Sequence, residues 1–433
     1  MRLEEFAEVV RAAGFEPPQS EITIKGADPI YPSPMRLGTG MATALGMVAS
    51  AIDDIWYHRT GKRQQIKIDI AQSAIGISSM WLLKIDGERA VEKFPLTLSP
   101  AEGVFRCADD RWISTLSFFP GLADGILEIL ECASDHASVA QAIARWDSTE
   151  LETALTERHL TGTVVRSHEE WLDHPQGNIL RDAPVVELER IDDAPPISLP
   201  GGERPLAGLR VLDMTRVLAG PTLARTLAEF GADVLQIGTP HVPDLVPAQA
   251  DTGHGKRRAH LNLSHAQDVD RLRQVLSTAD VFSQSDRAGA MASKNFGPKE
   301  VAGIKPGIIY VSVNCFGHDG PWQGKRGFDP NAQAAVGIHA LHQPPGEEWP
   351  VSGVSRAMND YATGYWGAYG VLEALQRRAK EGGSWHVKVS LCQTARWFMR
   401  LGTPHDPNSG LDDDALLSLA DHTGNCRIPL TDA

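Results

Sequence analysis

The sequence predicts an α/β fold, with a doubly wound, Rossmann-like parallel sheet in a large domain and a small α+β domain beside it. Three observations carry this expectation. Leu209-Arg210-Val211-Leu212-Asp213-Met214 has the apolar character of a strand, the turn at 215–221 leads into a helical pattern over 222–230, and 231–237 is a second strand. That β-turn-α-β order is the unit of a parallel doubly wound sheet, with ligands expected at the carboxyl ends of the strands. Further strand runs follow at Asp280-Val281-Phe282 and at 307–313. Upstream, 103–116 reads as a hairpin followed by helical patterns over 121–132, 137–146 and 148–158, a small α+β unit.

Taken in order, residues 1–30 are expected to form a short amphipathic helix (Leu3, Phe6, Val9, Val10) and a polar connector. Residues 31–100 form a helix-strand segment packing on the large domain, with a helical run from 41 to 56, a basic turn at 58–63 and a strictly alternating strand, Gln65-Ile66-Lys67-Ile68-Asp69-Ile70. The small domain spans 101–181, and Pro184, Pro195, Pro196, Pro200 and Gly201-Gly202 mark 182–205 as the interdomain linker. The large domain spans 206–400, and 401–433, with Asp412-Asp413-Asp414, is a polar tail. An internal echo links two distant stretches. Thr39-Gly40, an Ala-rich helix, a basic turn and Ile66-Lys67-Ile68-Asp69-Ile70-Ala71-Gln72 parallel Thr363-Gly364, a second such helix, Gly382-Gly383 and Val387-Lys388-Val389-Ser390-Leu391-Cys392-Gln393. Arg36 stands three residues before Thr39, where the second copy has Asp360.

At 433 residues the chain exceeds one ordinary core, and 42% hydrophobic with 22% charged residues describes a soluble globular protein. No apolar run reaches membrane-spanning length and the first residues lack an apolar signal region, so a cytoplasmic location is the expectation. The five cysteines are scattered without metal-ligand spacing, which suits a reducing compartment and calls for no metal. A net charge of −14 argues against nucleic-acid partners, and an anionic ligand would need basic residues gathered locally. Lys256-Arg257-Arg258, between His254 and His260, is the densest such run in the large domain, equally the pattern of a solvated face. No G-x-G-x-x-G follows the first strand, so nothing calls for a dinucleotide.

The stretch Asn359-Asp360-Tyr361-Ala362-Thr363-Gly364 places a carboxylate just ahead of a small-residue helix. An N-cap or first-turn Asp satisfies the same pattern. Tyr361, Tyr365, Trp366 and Tyr369 stand at helical spacing, the pattern of a core as much as of an acyl pocket.

With these segments in hand, residues 206 to about 395 resemble the family III CoA-transferases, the carnitine and formyl-CoA transferase group. Five stretches in order carry the resemblance: Leu206-Ala207-Gly208-Leu209-Arg210-Val211-Leu212-Asp213 with Arg216-Val217-Leu218-Ala219-Gly220-Pro221; Phe230-Gly231-Ala232-Asp233-Val234; Gly255-Lys256-Arg257 before His260-Leu261-Asn262-Leu263; Ile309-Tyr310-Val311-Ser312 through Phe316-Gly317-His318-Asp319-Gly320-Pro321; and Asp360 with Thr363-Gly364. Residues 36–200 are similar to the second half of the same family, so the usual order of the two halves is reversed. The resemblance implies the family III fold, an interlocked homodimer, and acyl-CoA with a carboxylate as substrates. It assigns Asp360 as nucleophile, passing through an aspartyl anhydride and an aspartyl-CoA thioester. It sets Arg216, Ala219, Lys256, Arg257 and Arg287 at the CoA, and the N–H groups of 361–364 as oxyanion donors.

Departures are also legible. No glycine run follows Gln72 to form the family's lid, and Gly238 stands where many relatives carry Glu. Racemases of the same fold pair the Asp with a His at the position of Phe328, which cannot carry a proton. A CoA-binding subunit without activity of its own is the reading from another class.

Overall fold

The computed structural model describes residues 3–96, 98–242, 244–343, 356–423, 427 and 428. Helix α1 (Leu3–Ala12) is followed by strand β1 (Ile22–Lys25), a run hidden in the expected connector. Helix α2 (Leu37–Thr60) is longer than its apolar run and stops where Gly61 takes a left-handed φ of 71°. Strand β2 (Ile66–Asp69) pairs in parallel with β1, and α3 (Ile70–Ile75) follows with Asp69 as its cap.

Strands β3 (Gly103–Arg106) and β4 (Trp112–Thr115) form the expected hairpin. Helices α4 (Pro120–Leu130), α5 (His136–Ile143) and α6 (Ser148–Glu157) pack behind it, and β5 (Thr163–Val164) completes a three-stranded antiparallel sheet. This lobe has its own apolar cluster around Phe105, Ile113, Ile126, Ile143 and Leu151. Strand β6 (Val186–Asp192) then departs from the sequence expectation. It lies inside the stretch read as a linker, yet it is the antiparallel edge strand of the main sheet.

The main sheet holds seven strands among the described residues. Strand β7 (Arg210–Met214) leads into α7 (Ala219–Glu229), β8 (Asp233–Gly238), α8 (Val246–Thr252) and β9 (Lys256–His260) on one side. Strands β10 (Val281–Gln284) and β11 (Ile309–Asn314) lie on the other side of β7. Helix α9 (Asp329–Val336), helix α10 (Met358–Glu381), strand β12 (Ser384–Ser390) and helix α11 (Leu391–Arg400) complete the unit. The order β9-β8-β7-β10-β11-β12-β6 reverses direction between β7 and β10, which puts a crevice at their carboxyl ends. The N–H of Arg216, just past β7, donates to Ser285 Oγ, just past β10, at 3.0 Å across that crevice.

One continuous core joins α1, α2, α7, α10, α11 and the sheet, with Val10, Met41, Leu223, Trp366, Val387 and Trp397 within it. The aromatic residues considered for an acyl pocket belong to this core. Tyr361 and Trp366 are fully buried, and the Trp366 ring lies 5.2 Å from that of Trp397. Among the described residues no helix is long and apolar enough to cross a membrane. Cys107, Cys132, Cys315 and Cys392 are free thiols, and Cys426 lies outside the described residues.

Candidate active site

Asp360 sits in the first turn of α10, but its side chain does not cap its own helix. The N–H of Ala219, the first residue of α7, lies by the carboxylate and favours its charged form. Two helix starts therefore meet at one carboxylate, where both positive ends favour negative charge. Glycines allow the approach. A Cβ on Gly364 would lie 2.6 Å from the carbonyl oxygen of Ala219, and one on Gly367 would lie 2.5 Å from Leu223 Cδ1. One turn further, a Cβ on Gly370 would meet Val186 and Val387 at 2.6 and 2.7 Å. The small-residue run of the sequence is thus the seam along which α10 lies on α7 and the sheet.

A second carboxylate completes the arrangement. Asp329, the first residue of α9, accepts from Gln333 Nε2 at 2.7 Å, from Asn359 Nδ2 at 2.9 Å and from the backbone N–H of Asp360 at 3.0 Å. Both side chains are buried, so the pair resists carrying two charges. Burial pushes Asp329 up to about 6 against the pull of its three donors. Burial, and then the charge of Asp329, push Asp360 well above the ordinary carboxylate range. Sequence reasoning passed over Asp329, although it stands in the same Gly-Phe-Asp-Pro stretch that was read for a missing histidine. Phe328 itself turns to the small lobe, its ring 4.8 Å from Phe118 and 6.1 Å from Phe119.

The residues assigned to CoA divide into two groups. Arg216 and Arg287 come together with Lys294 and Arg326, all acting electrostatically on Asp286 at the carboxyl ends of β7 and β10. Arg326 had no sequence signal beyond its charge. Ala219 is at the crevice too, with its N–H facing Asp360.

The Lys256 run does not form a patch, because it is a strand and its side chains alternate. Lys256 is buried, its Nζ 3.1 Å from Asp213 Oδ2 and donating to the carbonyl of Pro221 at 2.8 Å. Arg257 forks onto Asp233 at 2.5 and 2.6 Å, and Arg258 donates to Asp244 at 3.0 Å. Each cation is already matched by an aspartate. The expected oxyanion donors are likewise committed. Tyr361 N–H donates to the carbonyl of Ala357 at 3.1 Å, and 362–364 lie past the four free N–H groups that begin a helix. Among the described residues, no cluster of His, Cys, Asp or Glu is placed to hold a metal ion.

Residues 206–411 match the model of the family described as CoA-transferase family III. That match covers a little under half of the 433-residue chain. The matched segment carries the main sheet from β7 onward, both carboxylates and the cation cluster. Among curated proteins, the chain is 35% identical over 293 residues to the acetyl-coenzyme A transferase nodX of Hypoxylon pulicicidum, covering 63% of this chain and 49% of that protein. It is 28% identical over 417 residues to an acyl-CoA transferase of Gibberella moniliformis, covering 86% of this chain and 72% of that protein. It is 33% identical over 202 residues to the beta subunit of succinyl-CoA–L-malate CoA-transferase of Chloroflexus aurantiacus, covering 44% and 50%. The chain thus spans about half the length of two of these three relatives.

Proposed function

We propose that this chain is a CoA-transferase that moves CoA from an acyl-CoA thioester to an acceptor carboxylic acid through Asp360. The observation that carries the reading is the Asp360 carboxylate, buried at the crevice of the sheet by the Ala219 N–H and beside a second carboxylate, Asp329. The names of the relatives support the same class of reaction.

In this reading Asp360, which holds the proton of the carboxyl pair more tightly than Asp329, must be ionised before it attacks. Asp360 Oδ adds to the thioester carbonyl and the C–S bond breaks, leaving a mixed anhydride and CoA thiolate. The thiolate attacks the aspartyl carbonyl, releases the first carboxylate and forms an aspartyl-CoA thioester. The acceptor carboxylate attacks that thioester, and the returning thiolate then attacks the acceptor's acyl carbon. Acyl-CoA of the acceptor leaves and Asp360 is restored. The burial that raises Asp360 also removes water that would hydrolyse the anhydride. Arg216, Arg287, Lys294 and Arg326 are the cations suited to the phosphates of CoA, in place of the Lys256 run. A two-base racemase is disfavoured by the apolar setting of Phe328. The subunit names among the relatives make a second, different chain as reasonable a partner as another copy of this one.

Mass spectrometry after incubation with a panel of acyl-CoAs tests the reading. A CoA adduct should appear on the peptide holding Asp360. Asp360→Ala should lose both adduct and turnover while still binding CoA. Full transferase activity in that variant would remove Asp360 from the mechanism, and a wild-type chain without turnover would favour the CoA-binding subunit.

A further inference from the structure

A buried ion cluster outside the carboxyl pair joins the small lobe to the loop that precedes α9. Glu152 on α6 accepts from Val164 N–H at 2.9 Å and from Arg166 Nη1 at 3.1 Å, and its other oxygen is 2.5 Å from Arg166 Nη2. Lys325, from the loop between β11 and α9, brings its Nζ to 3.1 Å from Glu152 Oε1. All three side chains are buried. The Lys325 ammonium lies 3.7 Å from the centre of the Trp322 ring, and the Arg166 guanidinium 5.1 Å from it. Burial would raise the Glu152 carboxyl, but Lys325 and Arg166 hold it at about 2. Burial draws Lys325 down to about 8, with Glu152 opposing. His174, 4.3 Å from Trp322 ring to ring, is drawn down to about 4 by burial and then by Arg166, so it adds no charge near neutrality.

Buried charges of this kind are weak evidence of stabilisation but impose one geometry on the parts they join. Here the joined part is the approach to Asp329. From Lys325 the chain runs through Phe328, seated on Phe118 and Phe119 of the small lobe, into Asp329. The lobe also holds α9 itself. Arg166 N–H donates to the carbonyl of Ala334 at 3.0 Å, and Asn331 Nδ2 donates to the carbonyl of Ser114 at 3.2 Å. Asp329 in turn accepts the backbone N–H of Asp360.

We propose that Glu152, Arg166 and Lys325 form a positioning device: they lock the small lobe to the loop before α9 and thereby fix Asp329 and the first turn of α10 in the geometry that Asp360 requires. The proposed effect is on alignment, through Asp329 and the first turn of α10. The inference rests on the transferase reading for its consequence in catalysis, and on geometry alone for the coupling.

The test compares Lys325→Met and Lys325→Arg in the full chain by amide hydrogen exchange and by kinetics. In Lys325→Met, exchange over 358–366 should accelerate at least about 10-fold while 209–214 is unchanged. Its kcat and the rate of adduct formation at Asp360 should fall on the order of 10- to 100-fold, with KM for acyl-CoA within about 2-fold. Lys325→Arg should restore both readouts. Unchanged exchange over 358–366, or acceleration equal across the molecule, overturns the coupling. A KM effect without a kcat effect overturns the positioning role. If Lys325→Met does not fold, the double variant Glu152→Gln/Lys325→Gln, which removes both partners, takes its place with the same outcomes. A wild-type chain that forms no adduct sinks the transferase reading, and the exchange result still decides the coupling.

Discussion

Asp329 and Asp360 share a dry corner, and their stability cost depends on pH. In the folded chain Asp329 titrates near 6, against an ordinary value of 3.8. Between these values the folded state holds a proton that the unfolded state has released. Folding is therefore favoured at the acid end of this window and loses stability as pH rises through it, by up to roughly 3 kcal/mol from Asp329 alone. Asp360, raised further still, acts in the same direction at higher pH. Glu152, held at about 2, works with the opposite sign but has given its full contribution by the ordinary carboxylate range. Urea unfolding at pH 5 and pH 7 checks this. The wild-type midpoint should fall over that interval, and Asp360→Asn, which removes one of the two ionisations, should fall less. Equal slopes would show that the two groups do not share a proton. At this scale the sequence was half legible. Asp360 stood out by its place before a small-residue helix, but Asp329 lies 31 residues away along the chain, and only packing brings its oxygens to the Asp360 amide.

Helix α10 shows why elements were legible and their contacts were not. Its period, its small residues and its carboxylate were all visible along the chain, whereas the surface met by Gly364, Gly367 and Gly370 was not. The Lys256 run failed for a related reason. It reads as a patch along one dimension, and a strand sends alternate side chains to opposite faces. Strand β6 was hidden by the prolines around it, and its partner β12 is nearly two hundred positions away, so no local signal could reveal the pairing. Replacing Gly364 by Ala separates local propensity from packing. The substitution gains about 1 kcal/mol of helix propensity. Its Cβ would stand 2.6 Å from the Ala219 carbonyl oxygen, a backbone atom that cannot step aside. The strain of such overpacking, typically about 1–3 kcal/mol, should win, and the displaced Ala219 N–H should lower activity as well. Gly121→Ala, also helical but with nothing within 4 Å of the added Cβ, should be neutral or slightly stabilising. Thermal unfolding of the two variants decides it, and equal shifts in Tm would sink the account.

Across the whole molecule, the internal echo read from the sequence is a repeated helix-strand-helix unit. Helices α2 and α10 each have 24 residues, and each is followed by a strand and a capped helix. Asp69 accepts the Gln72 N–H at 3.1 Å, as Ser390 accepts that of Gln393 at 3.2 Å. The likeness extends to the helix starts. Asp28 accepts the N–H groups of Gly38 and Thr39 at 2.8 Å each, as Asp329 accepts that of Asp360. Only one of the two starts has a carboxylate at this position, since the other has Arg36, paired with Glu5.

The same asymmetry governs charge. A chain of net charge −14 repels a polyanion at long range, so the proposed binding of CoA requires cations gathered at one edge. Arg216, Arg287, Lys294 and Arg326 gather there because the loops after β7 and β10 and the loop before α9 converge on Asp286. If they hold phosphate, Arg326→Ala should weaken CoA binding on the order of 10-fold, the worth of one charge-assisted contact, and leave pantetheine binding unchanged. Asp286→Asn, which removes a competing carboxylate, should tighten CoA and again leave pantetheine alone. Calorimetric titration with both ligands gives the answer. An Arg326→Ala chain that keeps the wild-type ratio of CoA to pantetheine affinity would mean that the phosphates bind elsewhere.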